Sequence, residues 1–393
     1  MAFGQSIDQR KQNKRNHLVA LFRERGDLSK AQARQLSGYS MDTLIALFKG
    51  LEDDGYIEPV EGTGGSRGKG RPAELYRLIH GKELYWGLTF NQSGVWSTLV
   101  GFGGEELDAR YDELPELSSQ AELVDSIDRH VAAFAERNAE RLGSLRRIGL
   151  SLPGYIDVDA GILVRYNLMP FISNLDLRPI VRRHLPDLPI AVQHNITGLA
   201  SMLLREKEII ESHRRILYVS ARSGAAHALI QDGRIVMHDG EMGHLAVTGS
   251  DKPCRCGRIG CLDTLFSAAE FHRLCPHSSW EELSRILGTD SPAAAALWPI
   301  VEPPFRAMAE ALLDLTAAFS PDLVVLSGEL FSILPDPASW VQLRVAEAFS
   351  GPTPPWVPSS IEYRKTGAES AALGLCRSLI DEDWAWRADP VGQ

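Results

Sequence analysis

Between residues 16 and 25 apolar side chains recur at Leu18, Leu21 and Phe22, a short helical stripe that Gly26 ends. Ser29 opens a second helix with Gln32 three residues on, a capping box in which each side chain satisfies the other residue's free amide. That helix runs to Leu36 and stops at Ser37-Gly38-Tyr39. Ser40 caps a third helix whose buried stripe, Leu44, Leu47, Phe48 and Leu51, follows the spacing i, i+3, i+4, i+7. Helix, glycine turn, helix is the helix-turn-helix pattern. Strand patterns follow at 56–60 and 74–79, on either side of a glycine-rich stretch that holds Arg67, Lys69 and Arg71. Two strands joined by a basic tip make a β-wing. A flexible Gly/Ser linker is the alternative reading.

From residue 84 strands and helices alternate. Strands are predicted at 85–90, 95–101, 147–152, 190–194, 216–220, 226–230 and 323–327, and helices at 120–141 and near 369–380. This alternation indicates α/β architecture. The 393 residues, 44% hydrophobic and 23% charged, suit two or three globular domains. No apolar run approaches the roughly eighteen residues that span a bilayer. The polar, basic start MAFGQSIDQRKQNKR lacks the apolar core of a signal peptide, so a cytoplasmic location is expected.

Charge divides the chain. Residues 1–82 hold 14 Lys+Arg against 10 Asp+Glu, and the remainder holds 27 against 41. An acidic body repels phosphates, so contact with nucleic acid is expected only from the N-terminal segment. A solvated basic tail would give the same balance. On the third helix Ser40, Met41, Asp42, Thr43, Ala46 and Lys49 are the candidate DNA contacts, with Ile45 also facing outward. Ile and Ala suit a thymine methyl, and Asp accepts from a cytosine amino group. Arg67, Lys69 and Arg71 would serve the backbone or the minor groove, assisted by the arm at 10–15.

His244, Cys254, Cys256 and Cys261 form H-x9-C-x-C-x4-C, four ligands suited to a closed tetrahedral Zn2+ site that is structural rather than catalytic. Four ordinary buried residues are the alternative. Cys275 and Cys376 stand apart and read as core residues.

Gly240-Glu241-Met242-Gly243-His244, followed by Cys254-Arg-Cys256-Gly-Arg-Ile-Gly-Cys261-Leu-Asp263, is similar to the signature of the ROK family (repressor, open reading frame, kinase). Nearly the whole chain resembles its NagC/Mlc/XylR-type repressors. The resemblance implies an N-terminal winged helix-turn-helix (α+β) followed by an α/β, two-lobed, actin-like (ribonuclease H-like) domain of sugar-kinase type. The expected divisions are 1–82 for DNA binding, 83–194 with 369–393 for the first lobe, and 195–368 for the second lobe with the zinc loop. By position the resemblance gives Asn167, His194, Asn195, Glu241, His244 and Asp263 as ligands of a sugar or sugar-phosphate effector. Asp263 stands where the family usually has Glu, one methylene shorter.

The family's kinases carry D-x-G-G-T-K, a general base in E-N-D-A-N, a second glycine-rich phosphate loop and a glycine run for adenosine. The corresponding stretches here are Thr89-Phe90-Asn91-Gln92-Ser93-Gly94, Gln193-His194-Asn195-Ile196-Thr197, Ala221-Arg222-Ser223-Gly224 and Ser327-Gly328-Glu329. An amide at Asn195 has no basic oxygen to take a hydroxyl proton. The expectation is a non-enzymatic, homo-oligomeric regulator that binds a double-stranded operator and represses carbohydrate-related genes. A sugar kinase with a fused DNA-binding module, and a regulator controlled by protein docking, are the alternatives.

Overall fold

The computed structural model describes residues 7–61, 74–276 and 278–386. The chain starts with α1 (Ile7–Arg25), nine residues earlier than its apolar stripe suggests. Residues 8–12 of the added turns are polar and exposed, and Gln, Lys and Arg favour helix without needing a buried face. A two-residue strand β1 (Leu28–Ser29) leads into α2 (Lys30–Ser37). The capping box is formed in full: the Gln32 amide donates to Ser29 Oγ and the Ser29 amide to Gln32 Oε1. Gly38, in the left-handed region at φ 71, closes that helix. Ser40 accepts from the Thr43 amide and starts α3 (Met41–Asp53).

Strands β2 (Ile57–Pro59) and β3 (Leu75–Leu78) pair antiparallel, and β1 joins β3 to complete a three-stranded sheet. Leu18, Phe22, Leu44, Phe48, Ile57 and Tyr76 are buried between helices and sheet. This is the order of a winged helix-turn-helix. Arg67, Lys69 and Arg71, assigned to the wing tip, lie outside the described residues.

Two five-stranded sheets follow. The first is built from β4 (Leu84–Phe90), β5 (Gly94–Gly101), β6 (Glu106–Glu113), then α4 (Gln120–Arg137) and β7 (Leu145–Leu152). A small hairpin, β8 (Tyr155–Asp157) and β9 (Ile162–Arg165), and a short α5 (Arg178–Arg182) precede its last strand, β10 (Ile190–His194). Helices α6 (Asn195–Ser201) and α7 (Lys207–Ser212) then lead to β11 (Arg215–Ala221), β12 (Ala225–Gln231) and β13 (Arg234–Gly240).

After the cysteine-bearing loop come α8 (Ala268–Leu274), α9 (Trp280–Leu287) and the long α10 (Pro292–Phe319). The second sheet is completed by β14 (Leu323–Ser327), α11 (Pro337–Glu347) and β15 (Ser360–Arg364), and the described chain ends after α12 (Ser370–Asp383). The sheet orders are β10-β7-β4-β5-β6 and β13-β12-β11-β14-β15. In each, three antiparallel strands are followed by two that run parallel to the first. The two halves therefore repeat one topology, with a cleft between them.

The winged helix-turn-helix is not loosely tethered. Its buried residues share one core with Tyr85, Val100 and Phe102 of the first sheet and with Leu375, Cys376, Leu379 and Trp384 at the C-terminal end. Asn16 donates to the Ala385 carbonyl at 2.8 Å, and Trp384 Nε1 donates to Glu83 at 3.2 Å. Among the described residues, no helix is long and apolar enough to cross a membrane.

Candidate functional site

The loop after β13 crosses back on itself twice, bridging Ala246 to Cys261 and Pro253 to Ile259. Gly260 turns it at φ 76, where a Cβ would lie 2.7 Å from the Ser250 carbonyl. The result draws His244, Cys254, Cys256 and Cys261 together, with their ligand atoms all within 4.8 Å of one another. Cys254 Sγ lies 3.7 Å from His244 Nδ1, and Cys256 Sγ lies 3.6 Å from Cys261 Sγ. Bonds of about 2.3 Å to sulfur and about 2.0 Å to nitrogen set the edges of a zinc tetrahedron at about 3.5–3.8 Å. The donor set fits a metal ion of that size. Cys275 and Cys376 are buried elsewhere in the core.

His244 faces two ways. Its Nδ1 is turned to Cys254, while Nε2 lies 3.9 Å from Glu241 Oε2. The other carboxylate oxygen, Glu241 Oε1, is 3.8 Å from His194 Nε2. The His194 Nδ1 accepts from the Ile196 amide at 3.2 Å, which leaves the ring proton on Nε2. Burial holds His194 down to about 4, so the ring is neutral at pH 7. Burial, reinforced by Asp263 and Asp239, pushes Glu241 up to about 7. Asp263 is also pushed up to about 7 by burial, against the opposing effect of the Ala225 amide, which donates to it at 3.1 Å.

A cavity of about 120 Å3 opens between these groups. Asn167, His194, Asn195, Glu241, His244 and Asp263 all line it. It is smaller than the roughly 300 Å3 at which drug-sized pockets begin, so it suits one small polar molecule. Gly243 lets Asp263 reach the cavity: a Cβ there would collide with the Asp263 carboxylate, and at Gly224 it would sit 2.7 Å from Asp263 Oδ2. The wall residues Tyr155 and Tyr166 were not singled out in the sequence, whereas Arg222 and Ser223, which also line the cavity, belong to the stretch compared with the kinases' second phosphate loop. Tyr155 stacks on His244 with ring centroids 5.8 Å apart, and Tyr166 lies next to Asn167. The one sequence signal for them was adjacency: Tyr155 follows the Pro153-Gly154 turn and Tyr166 precedes Asn167.

Toward the β4–β5 turn the cleft narrows to about 30 Å3. Asn91 Oδ1 accepts from the Ser93 amide at 2.7 Å and from the Gly94 amide at 3.2 Å, so these two amides are occupied from within. Tyr166 donates to Gln92 at 2.9 Å across the same space. Arg222 is bound to the carbonyl and hydroxyl of Thr366, and Glu329 adds a carboxylate to the wall. These are poor surroundings for a triphosphate.

On α3, Asp42, Ile45, Ala46 and Lys49 are exposed, while Met41 and Thr43 are half-buried and Ser40 is engaged as the cap. They form one outward face of the winged helix-turn-helix, remote in sequence from the cavity.

A family model described as "ROK family" matches residues 97–377. The chain is 25% identical over 269 residues to the DNA-binding transcriptional repressor Mlc of Escherichia coli (strain K12), a match covering 66% of this chain and 64% of that protein. Among solved structures, a ROK family transcriptional regulator described as a homologue of Escherichia coli Mlc aligns with a TM-score of 0.71 at 20% identity, covering 94% of this chain and 96% of that one. A ROK hexokinase from Thermus thermophilus aligns with a TM-score of 0.56 at 22% identity, covering 76% of this chain and 99% of its own.

Proposed function

The chain belongs to the ROK family, and from that membership we propose that it is a DNA-binding transcriptional repressor of carbohydrate-related genes, controlled by a sugar or sugar phosphate that it does not phosphorylate. One observation carries this reading: a polar cavity remains beside the metal-binding loop while the adjoining side of the cleft, at the β4–β5 turn, is narrowed by the protein's own side chains. Glu241 and Asp263 accept from sugar hydroxyls, and Asn167 and Asn195 offer both donors and acceptors. Asn195 positions a hydroxyl without deprotonating it. Zinc suits the three thiolates and His244, and would brace the loop that carries Glu241.

DNA is met by the exposed face of α3, helped by the wing, in a homodimer or tetramer that reads a two-fold symmetric operator. A sugar touching both lobes favours one lobe arrangement over the other. It shifts operator affinity only by its differential affinity for the two, so a tenfold effect needs about 1.4 kcal/mol of coupling.

Aldopentoses, aldohexoses, N-acetylhexosamines and their phosphates, screened by thermal shift, test the cavity. One class should raise the melting temperature of the parent and not of Glu241→Ala. Operators selected from random duplexes should be lost on Lys49→Glu, with the sugar shift kept. Point variants are the right tool, because cutting at residue 82 would uncover Phe102 and Trp384, which are buried in the shared core. Sugar-dependent ADP release at even about one per second, a rate typical of slow enzymes, would contradict the reading.

A further inference from the structure

The two lobes hold the DNA-binding helices by different means. The first lobe grips them through apolar core, at Tyr85, Val100, Phe102 and Trp384. The second lobe reaches them through charge. Lys207, at the start of α7, pairs with Glu24 on α1. Arg205 Nη2 pairs with Asp381 Oδ1 at 3.1 Å, and Arg23 Nη1 of α1 approaches the same oxygen at 3.5 Å. Arg23 has only 8% of its side chain exposed and lies against the rings of Trp384 and Phe102, at 5.8 and 6.0 Å. One carboxylate on α12 is thus shared between a DNA-binding helix and the second lobe.

Arg205 and Lys207 stand at the far end of a short rod. Helix α6 begins with Asn195 in the cavity and continues through a 3-10 turn, Met202–Arg205. At about 1.5 Å per helical and about 2.0 Å per 3-10 residue, its length is about 18 Å. Ile196, Leu199, Ala200 and Leu203 share a core with Ile216, Tyr218 and Val325 of the second sheet, to which α12 adds only Ala371 among the described residues, so the rod packs mainly with that lobe. Against α12 it presents almost no relief. A Cβ at Gly198 would collide with the Ala371 carbonyl, and one at Gly374 with the Gly198 carbonyl. Two helices in backbone contact lack interlocking side chains there, which suits a small sliding motion.

We propose that residues 195–207 carry the state of the cavity to the DNA-binding helices, sliding on α12 at the Gly198/Gly374 crossing and re-pairing Arg205 and Lys207 with Asp381 and Glu24. The effector at one end is taken from the proposed function, but the coupling is a property of the chain and can be read without sugar or operator. Ion pairs re-form at small displacements, whereas the apolar core holding α1 to the first lobe does not. A shift of the second lobe therefore changes the charge held against the end of α1 and leaves its packing intact.

Hydrogen–deuterium exchange on the full chain tests this. Lys207→Glu sets two like charges together at a mainly solvated site, so folding is retained. Exchange should rise by up to about fivefold at residues 19–25, the range expected from the loss of one surface pair, and rise as well at residues 194–199 beside the cavity. The charge swap Lys207→Glu with Glu24→Lys should return residues 194–199 to the parent rates and residues 19–25 only in part, because Glu24 also pairs with Arg25 at 3.0 Å. A change confined to the neighbourhood of residues 24 and 207, with 194–199 at parent rates, would overturn the coupling. So would a response at 194–199 that the swap fails to reverse. Neither result depends on whether the sugar screen succeeds.

Discussion

On the metal-loop side of the cleft, Glu241, Asp263 and His194 line a cavity of about 120 Å3, whereas at the β4–β5 turn the space falls to about 30 Å3. Both walls are built from turns between strands, and in both the turn conformation decides which groups face the ligand. At Gly243 and Gly224 the missing Cβ atoms make room for the Asp263 carboxylate, so the chain spends its smallest residues on keeping a polar group in the cavity. At Asn91 a side chain folds onto the Ser93 and Gly94 amides and occupies two donors of the turn. The contrast shows how binding and chemistry separate: hydroxyl recognition needs converging polar groups, while phosphoryl transfer needs free amides and a base as well.

The largest effect in this comparison is expected at the metal loop. Cys256→Ser removes one of four ligands from a closed site. Stability should fall by about 4 kcal/mol or more, with loss of bound metal by elemental analysis of protein purified without a metal-affinity tag. Folded, sugar-responsive parent protein with no metal would break the assignment.

Gly243→Ala should cost about 1–3 kcal/mol, because the new methyl group must displace the Asp263 carboxylate. Its signature is a weaker thermal shift with sugar, in excess of the lowered melting temperature. Asn91→Ala, on the opposite wall, should cost only about 1 kcal/mol for the lost turn bonds and leave the sugar shift unchanged. If the two variants had equal effects on sugar binding, the division of the cleft would fail.

The smallest expected effect is none. Asn195→Asp restores a carboxylate where the kinases have their base, yet the Ser93 and Gly94 amides of the β4–β5 turn stay occupied. ADP release in the presence of sugar should therefore stay at the background of the parent.

Spacing marked His244, Cys254, Cys256 and Cys261, whose ligand atoms the structure gathers within 4.8 Å, whereas Asn167, His194, Asn195, Glu241 and Asp263 came from the family resemblance and line one cavity. The short N-terminal helices were legible for a similar reason: Ser29, Gln32, Ser40 and Gly38 make the caps their types predict. Elements without such marks were missed. Edge strand β13 sets Ile235, Val236 and Met237 in a row, which gives no two-residue period, while β6 was overlooked although Leu107, Ala109 and Tyr111 alternate with Asp108, Arg110 and Asp112. Helix α10 runs through Pro299, Pro303 and Pro304, which local rules treat as breakers and which packing against Phe266, Phe331 and Trp340 outweighs. The joint between the winged helix-turn-helix and the first lobe was invisible, because Phe22, Phe102 and Trp384 meet only after folding across most of the chain.

The central claim is that the cavity senses a sugar on behalf of the DNA-binding face. Operator titration with the parent and with Glu241→Ala, each with and without the sugar that gives the largest thermal shift, measures it directly. The sugar should change the parent's operator affinity by about tenfold, equal to about 1.4 kcal/mol of coupling, and leave Glu241→Ala unchanged at the parent's sugar-free affinity. Equal sugar sensitivity in the two proteins would contradict the account and move the effector site out of the cavity.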